Sequence, residues 1–299
     1  MRWKAASKDT RSMWRTAYLF LLPAMLLWAV WFLIPALQSF RLSFFEYNYV
    51  MKLNNHFVGL DNFVKLFKND SFYNALSNTV TMVVVAVPLQ TFFALLLAVC
   101  INVSFKGRSV YRTIFYMPHV ISSIAVATVF MYLFVGGKPI PTLLSYFGID
   151  NVSWFADTRY ALPFIIMMYV WQQVGFYMII YLSGLQTISG EVVEAAEMDG
   201  ANGKQRLRYI TLPMLKPVTF LALTHGAISA FQVFDQIAAV SGQGQLGSPA
   251  GSISTLVTFF YLNSFKFGEV GFGSATAVVL FAMILAITLL QKKMFGKDE

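Results

Sequence analysis

Six long apolar blocks constrain the fold of this 299-residue chain more than any other feature. A helix needs about 20 mostly apolar residues to cross the hydrocarbon core of a bilayer, and it satisfies its backbone hydrogen bonds internally. Charged residues make up 12% of the chain, whereas a soluble domain carries about a quarter. The sequence therefore predicts an all-α integral membrane protein with six transmembrane helices. The predicted spans are residues 17–40, 79–103, 114–135, 162–185, 218–240 and 271–290.

Lysine and arginine are distributed unevenly between the two sides of these spans. An even number of spans places both ends of the chain on one side, which holds 15 of the 22 Lys and Arg. Because basic loops stay in the cytoplasm, both termini are predicted to be cytoplasmic. The domain prediction is a cytoplasmic N-terminal segment (1–16), a transmembrane domain (17–291) and a cytoplasmic tail (292–299). The net charge of +8 then reflects topology, and nucleic-acid binding is not predicted.

A charged segment, residues 189–213, joins the fourth and fifth spans on the predicted cytoplasmic side. Ser189 is a favoured N-cap residue, and Gly200 is a natural helix terminator because glycine adopts the left-handed conformation at little cost. Asn202 can cap a second short helix, which Pro213 is expected to end. The sequence predicts two short helices, joined by a tight turn and tied rigidly to two membrane spans.

The same segment carries the pattern Glu-Ala-Ala, three residues, Gly, nine residues, Ile-x-Leu-Pro. This pattern resembles the signature of permease subunits of binding-protein-dependent ABC importers, and its extended form resembles the maltose-type sugar permeases. Residues 231–237, followed by a Gly-rich loop, resemble the fifth span of sugar permeases. The Gly-Gly-Pro usual in that loop is here Gly247-Ser-Pro249. The residues that match the first pattern are Glu194, Ala195, Ala196, Asp199, Gly200, Ile210, Leu212 and Pro213.

The resemblance implies the permease subunit of an ATP-driven sugar importer in a bacterial or archaeal cytoplasmic (inner) membrane. It implies that the matching residues dock onto a separate ABC ATPase, present as a dimer, which binds ATP and Mg. A second homologous permease and an extracytoplasmic solute-binding protein are the other expected partners. No cofactor is expected on this chain, and Gly203-Lys204-Gln205 lacks the residues of a phosphate-binding loop.

Polar and aromatic residues inside the predicted spans are candidates for the substrate pathway. Sugars are bound by aromatic faces and a few amide groups, although Gln also bonds one membrane helix to another. Asp235 either lines the pathway or caps a helix near the water interface. His119 and His225 are interpreted as packing or interhelical hydrogen-bond residues. The candidates are Trp171, Gln172, Gln173, Phe176, Tyr177, Gln232, Asp235 and Gln236.

Three other functions remain open at this point. An ion-coupled secondary transporter would need several intramembrane charges, but Asp235 stands nearly alone. An intramembrane enzyme would need paired acids, a metal-ligand cluster or a nucleophile with its base, and no such pattern is visible; no metal site is predicted. An ABC permease for a polyol or glycerol phosphate ester fits the same motifs as a sugar permease.

Overall fold

The fold is that of a computed structural model, which describes residues 8–49, 55–103, 106–148, 153–241 and 246–295. Residues 1–7 and 296–299, in the predicted cytoplasmic ends, and residues 242–245 of the Gly-rich loop lie outside these ranges. The described chain is helical apart from its loops and one two-stranded antiparallel hairpin.

In chain order the elements are α1 (Lys8–Trp28), α2 (Ile34–Leu42), β1 (Phe45–Glu46), β2 (His56–Phe57), α3 (Asp61–Phe67), α4 (Asp70–Asn102), α5 (Arg108–Val120), α6 (Ser123–Phe134), α7 (Pro139–Ser145), α8 (Ala161–Gln186), α9 (Gly190–Met198), α10 (Gly203–Arg206), α11 (Leu212–Met214), α12 (Lys216–Phe231), α13 (Asp235–Ser241), α14 (Leu256–Tyr261) and α15 (Val270–Phe295). The π-helical turns Ala29–Leu33, Leu207–Thr211 and Leu262–Lys266 continue neighbouring helices.

Six helical segments of the described chain are long and apolar enough to cross a membrane, which confirms the predicted number. The second begins at Asp70 rather than at residue 79, because Asn69 caps it: the Asn69 Oδ1 accepts a hydrogen bond from the Phe72 N–H at 3.2 Å. The segments are Met13–Leu42, Asp70–Asn102, Ser123–Ser145, Ala161–Gln186, Lys216–Ser241 and Val270–Phe295.

The third predicted span, residues 114–135, is wrong as a single helix. The chain is helical through α5 to Val120, extended at Ile121 (φ −75°, ψ 139°), and helical again from Ser123 in α6. A break inside a span leaves backbone groups without helical partners, which other groups must satisfy. The Gln172 side chain of α8 does so, since its Nε2 donates to the Ile121 carbonyl at 3.1 Å.

The fifth predicted span, residues 218–240, is interrupted as well. α12 ends at Phe231, and a new helix, α13, begins at Asp235. The Val233 carbonyl between them accepts a hydrogen bond from the Thr255 hydroxyl at 3.3 Å. Both breaks are thus stabilised by polar side chains from elements distant in the sequence.

α8 lies at the centre of the bundle. It packs against α4, α5 and α12, and Tyr169, Tyr177 and Tyr181 along it are buried. By contrast, none of the apolar core of the first span is buried. The best-packed helix is therefore the one that carries most of the predicted pathway residues.

The hairpin, α14 and the start of α15 meet at one end of the bundle, which we call the hairpin end. A Cβ atom on Gly271 would lie 2.0 Å from the Phe45 carbonyl oxygen, so the backbones of α15 and β1 touch. α14 packs on α4 and α15. The α8–α12 connection lies at the opposite end, where α1 starts and α15 finishes.

Candidate functional site

The connection between α8 and α12 begins with α9, which runs from Gly190 to Met198 as the sequence predicts. Ser189 occupies the N-cap position with extended backbone angles, but its side chain makes no capping hydrogen bond. Gly200 adopts φ +80°. The Gly200 N–H donates to the Glu197 carbonyl at 3.0 Å and the Ala201 N–H donates to the Ala196 carbonyl at 2.9 Å, which is the Schellman arrangement.

A second set of side-chain bonds starts the next helix directly after this turn. The Gln205 N–H donates to the Asn202 Oδ1 at 2.9 Å, and the Asn202 N–H donates to the Gln205 Oε1 at 2.8 Å. These reciprocal bonds form a capping box. Arg206 of α10 pairs with Glu197 of α9, so an ion pair bridges the two helices across the turn. The Schellman bonds, the capping box and this ion pair together fix the turn between α9 and α10.

The prediction that Pro213 ends the second helix is wrong. The helix continues from α10 through the π turn Leu207–Thr211 into α11, where Pro213 is the second residue. Proline lacks the N–H of a regular helix and its ring clashes with the carbonyl four residues earlier. The wider π turn before Pro213 accommodates the ring, so the helix continues to Met214. We call this continuous helix, residues 203–214, the rod.

The rod is anchored to the bundle just beyond Met214. Leu215 is 1% exposed and lies in a cluster with residues of α4, α8 and α12. On α8, a Cβ atom at Gly184 would lie 2.6 Å from Val218 Cγ2 and 3.0 Å from Leu215 Cδ2. The absence of a side chain at Gly184 therefore lets the end of the rod approach the last turns of α8.

The predicted coupling residues share one outward-facing element but are not all exposed. Glu194, Ala195, Asp199 and Gly200 are exposed, whereas Ala196 is 8% exposed. Ile210 is half-buried, and Leu212 and Pro213 are exposed. Glu194 lies on the second turn of α9, three residues before Glu197.

Inside the bundle, Gln172 connects three elements. Its Nε2 donates to the Ile121 carbonyl and, at 3.3 Å, to the Ser123 hydroxyl, which flank the break between α5 and α6. Its Oε1 accepts a hydrogen bond from the Gln236 Nε2 of α13 at 3.0 Å. Gln172 and Gln236 are 4% and 5% exposed, so these bonds form in a site shielded from water.

Gln173, Phe176 and Tyr177 lie beside Gln172 and meet two histidines. His119 Nδ1 is 2.7 Å from Gln173 Oε1, and the His119 ring stacks on Phe176 with centroids 4.6 Å apart. Tyr177 Oη is 3.0 Å from His225 Nδ1. Both histidines thus make interhelical hydrogen bonds, as predicted, and their partners are predicted pathway residues. We call His119, Gln172, Gln173, Phe176, Tyr177, His225 and Gln236 the polar cluster.

Three predicted pathway residues lie outside the polar cluster. Trp171 is exposed and lines an apolar groove of ≈ 750 Å³ between α4, α5 and α8. Gln232 and Asp235 are exposed at the break between α12 and α13, with Asp235 in the first turn of α13. That position favours the helix-capping interpretation of Asp235, because a negative charge in the first turn is stabilised by the helix dipole.

Known proteins resemble this chain in sequence and in fold. Residues 90–295 match the family described as binding-protein-dependent transport system inner membrane component. The chain belongs to this permease family. It is 35% identical over 291 residues to the probable ABC transporter permease protein YesP of Bacillus subtilis (strain 168), covering 95% of this chain and 93% of that one.

Two further proteins extend the likeness along the whole permease. It is 31% identical over 288 residues to the trehalose/maltose transport system permease protein MalF of Thermococcus litoralis, with 95% of each chain covered. It also superposes on a chain of a bacterial alginate ABC transporter, solved in complex with an alginate pentasaccharide-bound periplasmic protein. The TM-score is 0.81 at 26% identity, and 96% of each chain is covered.

The permease is thus a multi-pass membrane component of an importer, and its relatives are transport subunits rather than enzymes. Among the described residues, no group of three or more His, Cys, Asp or Glu is placed to hold a metal ion. The chemistry that the site offers is hydrogen bonding and aromatic contact, together with a rigid element at one end of the bundle.

Proposed function

We propose that the chain is the membrane-spanning permease of an ATP-driven sugar importer, and that residues 189–213 couple it to a separate ATPase. The observation that carries the proposal is the doubly capped turn between α9 and α10, whose two helices are joined to α8 and α12 by connections of three residues and one residue. A rigid-body movement of an attached protein is transmitted best by such an element. In this proposal Glu194, Ala195, Asp199 and Gly200 face the ATPase, which supplies ATP and Mg.

The proposed orientation places this segment and both termini in the cytoplasm. The distribution of lysine and arginine supports it, since the exposed cations of the segment, Lys204 and Arg208, belong to the basic side. The hairpin end then faces the outside, where a solute-binding protein would deliver its sugar. The alginate transporter, solved with a periplasmic protein bound, supports this part of the proposal.

The residues of the polar cluster other than Gln172 and Gln236 are proposed to line the sugar pathway together with a second, homologous permease. Phe176 offers an aromatic face, half-buried, flanked by the imidazoles of His119 and His225, and Gln173 offers an amide. These groups match the hydroxyls and C–H faces of a sugar. The trehalose/maltose and alginate systems among the relatives support a carbohydrate substrate. Gln172 and Gln236 instead hold the broken helices in place.

Reconstitution tests the coupling role. We expect Glu194→Lys to insert and assemble normally but to lower ATP hydrolysis stimulated by the loaded binding protein at least about tenfold, which corresponds to about 1.4 kcal/mol. Gly200→Asp should act in the same direction. The matched control is Glu191→Lys, an exposed acid one turn earlier on the same helix. Sugar uptake and stimulated hydrolysis at the wild-type rate in both Glu194→Lys and Gly200→Asp would refute the proposal.

A further inference from the structure

A polar pocket of ≈ 310 Å³ lies at the hairpin end, outside the polar cluster and at the opposite end from residues 189–213. It is enclosed by the hairpin, α3 and the start of α15. A backbone bridge between Asn48 and Glu269 and the close approach of Gly271 to Phe45 fix these elements relative to each other. The pocket is therefore built by long-range contacts rather than by one loop.

Two buried amides line the pocket with unused acceptors. Asn62 is 3% exposed and donates both Nδ2 hydrogens, to the Ser43 and Phe45 carbonyls, each at 2.9 Å. Asn263 is 8% exposed and donates to the Phe259 carbonyl at 2.7 Å. Among the described residues neither Oδ1 atom has a hydrogen-bond donor. Both residues line the pocket, so each oxygen is an acceptor that a ligand with donors can use.

Charged groups of both signs surround these amides. Glu46 and Glu269 line the pocket and are exposed at its mouth. Lys65 also lines it; a hydrogen bond from Lys65 to Asp61, followed by the charges of Asp61, Glu46 and Glu269, raises the pKa of the Lys65 ammonium. The site thus offers fixed acceptors, carboxylates and one permanent cationic donor, with Phe272 as an apolar wall.

We propose that this pocket binds one ring of a neutral sugar at the outer face of the permease. Each sugar hydroxyl both donates and accepts a hydrogen bond, which matches the mixture of free amide oxygens, carboxylates and the ammonium. A sugar ring also presents a C–H face that suits Phe272. The proposal deepens the proposed function and rests on it, because it adds a second contact for the sugar before it enters the bundle.

The test measures sugar binding without the binding protein. The assembled transporter in nanodiscs is titrated with maltose, lactose and trehalose at millimolar concentrations, and saturation-transfer NMR reports bound sugar. We expect at least one sugar to bind, and Glu269→Ala or Glu46→Ala to weaken that binding at least tenfold. The matched control Asp70→Ala removes an exposed acid that starts α4 at the same end but does not line the pocket. It should bind as the wild type does.

A pathway variant separates this site from the polar cluster. Gln173→Ala should keep the outer binding. The proposal would be overturned if Gln173→Ala lost all sugar binding while Glu269→Ala bound sugar as the wild type does. It would also be overturned if the wild type bound none of the three sugars. Weaker affinity of Glu269→Ala for the binding protein with unchanged sugar binding would make the pocket a protein contact instead. Failure of the wild type to import any sugar would refute the proposed function independently of these titrations.

Discussion

The close packing of α5 against α8 depends on the absence of a side chain at Gly175. A Cβ atom there would lie 1.9 Å from the Phe115 carbonyl oxygen and 2.9 Å from the Tyr116 Cα, both backbone atoms of α5. Ordinary contacts begin at 3.4 Å, so Gly175→Ala would push α5 away by about 1.5 Å, the difference between these two distances. Because a helix backbone cannot rotate aside as a side chain can, we expect the upper part of the ~1–3 kcal/mol range for overpacking.

Two further glycines provide a graded series for this prediction. At Gly184 the nearest atoms are the ends of the Val218 and Leu215 side chains, which can rotate, so Gly184→Ala should cost less than Gly175→Ala. At Gly190, the first residue of α9, nothing lies within 4 Å. Gly190→Ala should therefore be neutral or stabilise the helix by less than ~1 kcal/mol.

The assay is thermal unfolding of the purified permease in detergent, followed by loss of the monodisperse peak in size-exclusion chromatography. At ~2–4 °C per kcal/mol, Gly175→Ala should lower the unfolding temperature by about 4–12 °C. Gly190→Ala should stay close to the wild type, with Gly184→Ala between them. The reasoning would be refuted if all three variants unfolded at the same temperature, or if Gly184→Ala were the least stable.

Three other substitutions test the anchoring of residues 203–214 to the bundle, the turn between α9 and α10, and the break between α5 and α6. Leu215→Ala should lower the free energy of unfolding by ~2–5 kcal/mol. Leu221 is 55% exposed, so the control Leu221→Ala should lower it far less in the same unfolding assay. Gln205→Ala removes half of the capping box, costs ~0.5–2 kcal/mol locally and should speed amide exchange at the start of α10 without changing the unfolding temperature. Gln172→Leu leaves the Ile121 carbonyl unpaired and should lower both the unfolding temperature and transport, whereas unchanged values for both would contradict its bridging role.

Local features of the fold could be predicted from the sequence because short-range physics determines them. Six apolar blocks give six spans, and Gly200 takes the left-handed angle that ends α9. Asn202 and Gln205 are three residues apart, which is the spacing of a capping box. In each case the residues that satisfy the backbone are neighbours in the chain.

The two helix breaks could not be predicted because the groups that satisfy their backbone are distant in the sequence. A helix can open at Ile121 only if some other element satisfies the freed carbonyl, and the partner is Gln172, 51 positions later. The Val233 carbonyl depends in the same way on Thr255. Pro213 failed as a stop signal because a π turn before it makes room for the ring, and single-residue preference does not indicate a π turn.

The long-range bonds of Gln172 are made by α8, the helix that leads from the interior of the bundle to residues 189–213. α8 is continuous from Ala161 to Gln186, and α9 follows it after three residues. On α8, Gln172 is bonded to Ile121 at one break and to Gln236, in the first turn of the helix after the other break. A rigid displacement of α8 that keeps these bonds must therefore carry both interrupted spans with it. Breaking them instead would leave buried polar groups unpaired, which costs ~1–3 kcal/mol each. We therefore expect α8 and the two interrupted spans to move together as long as the hydrogen bonds of Gln172 persist.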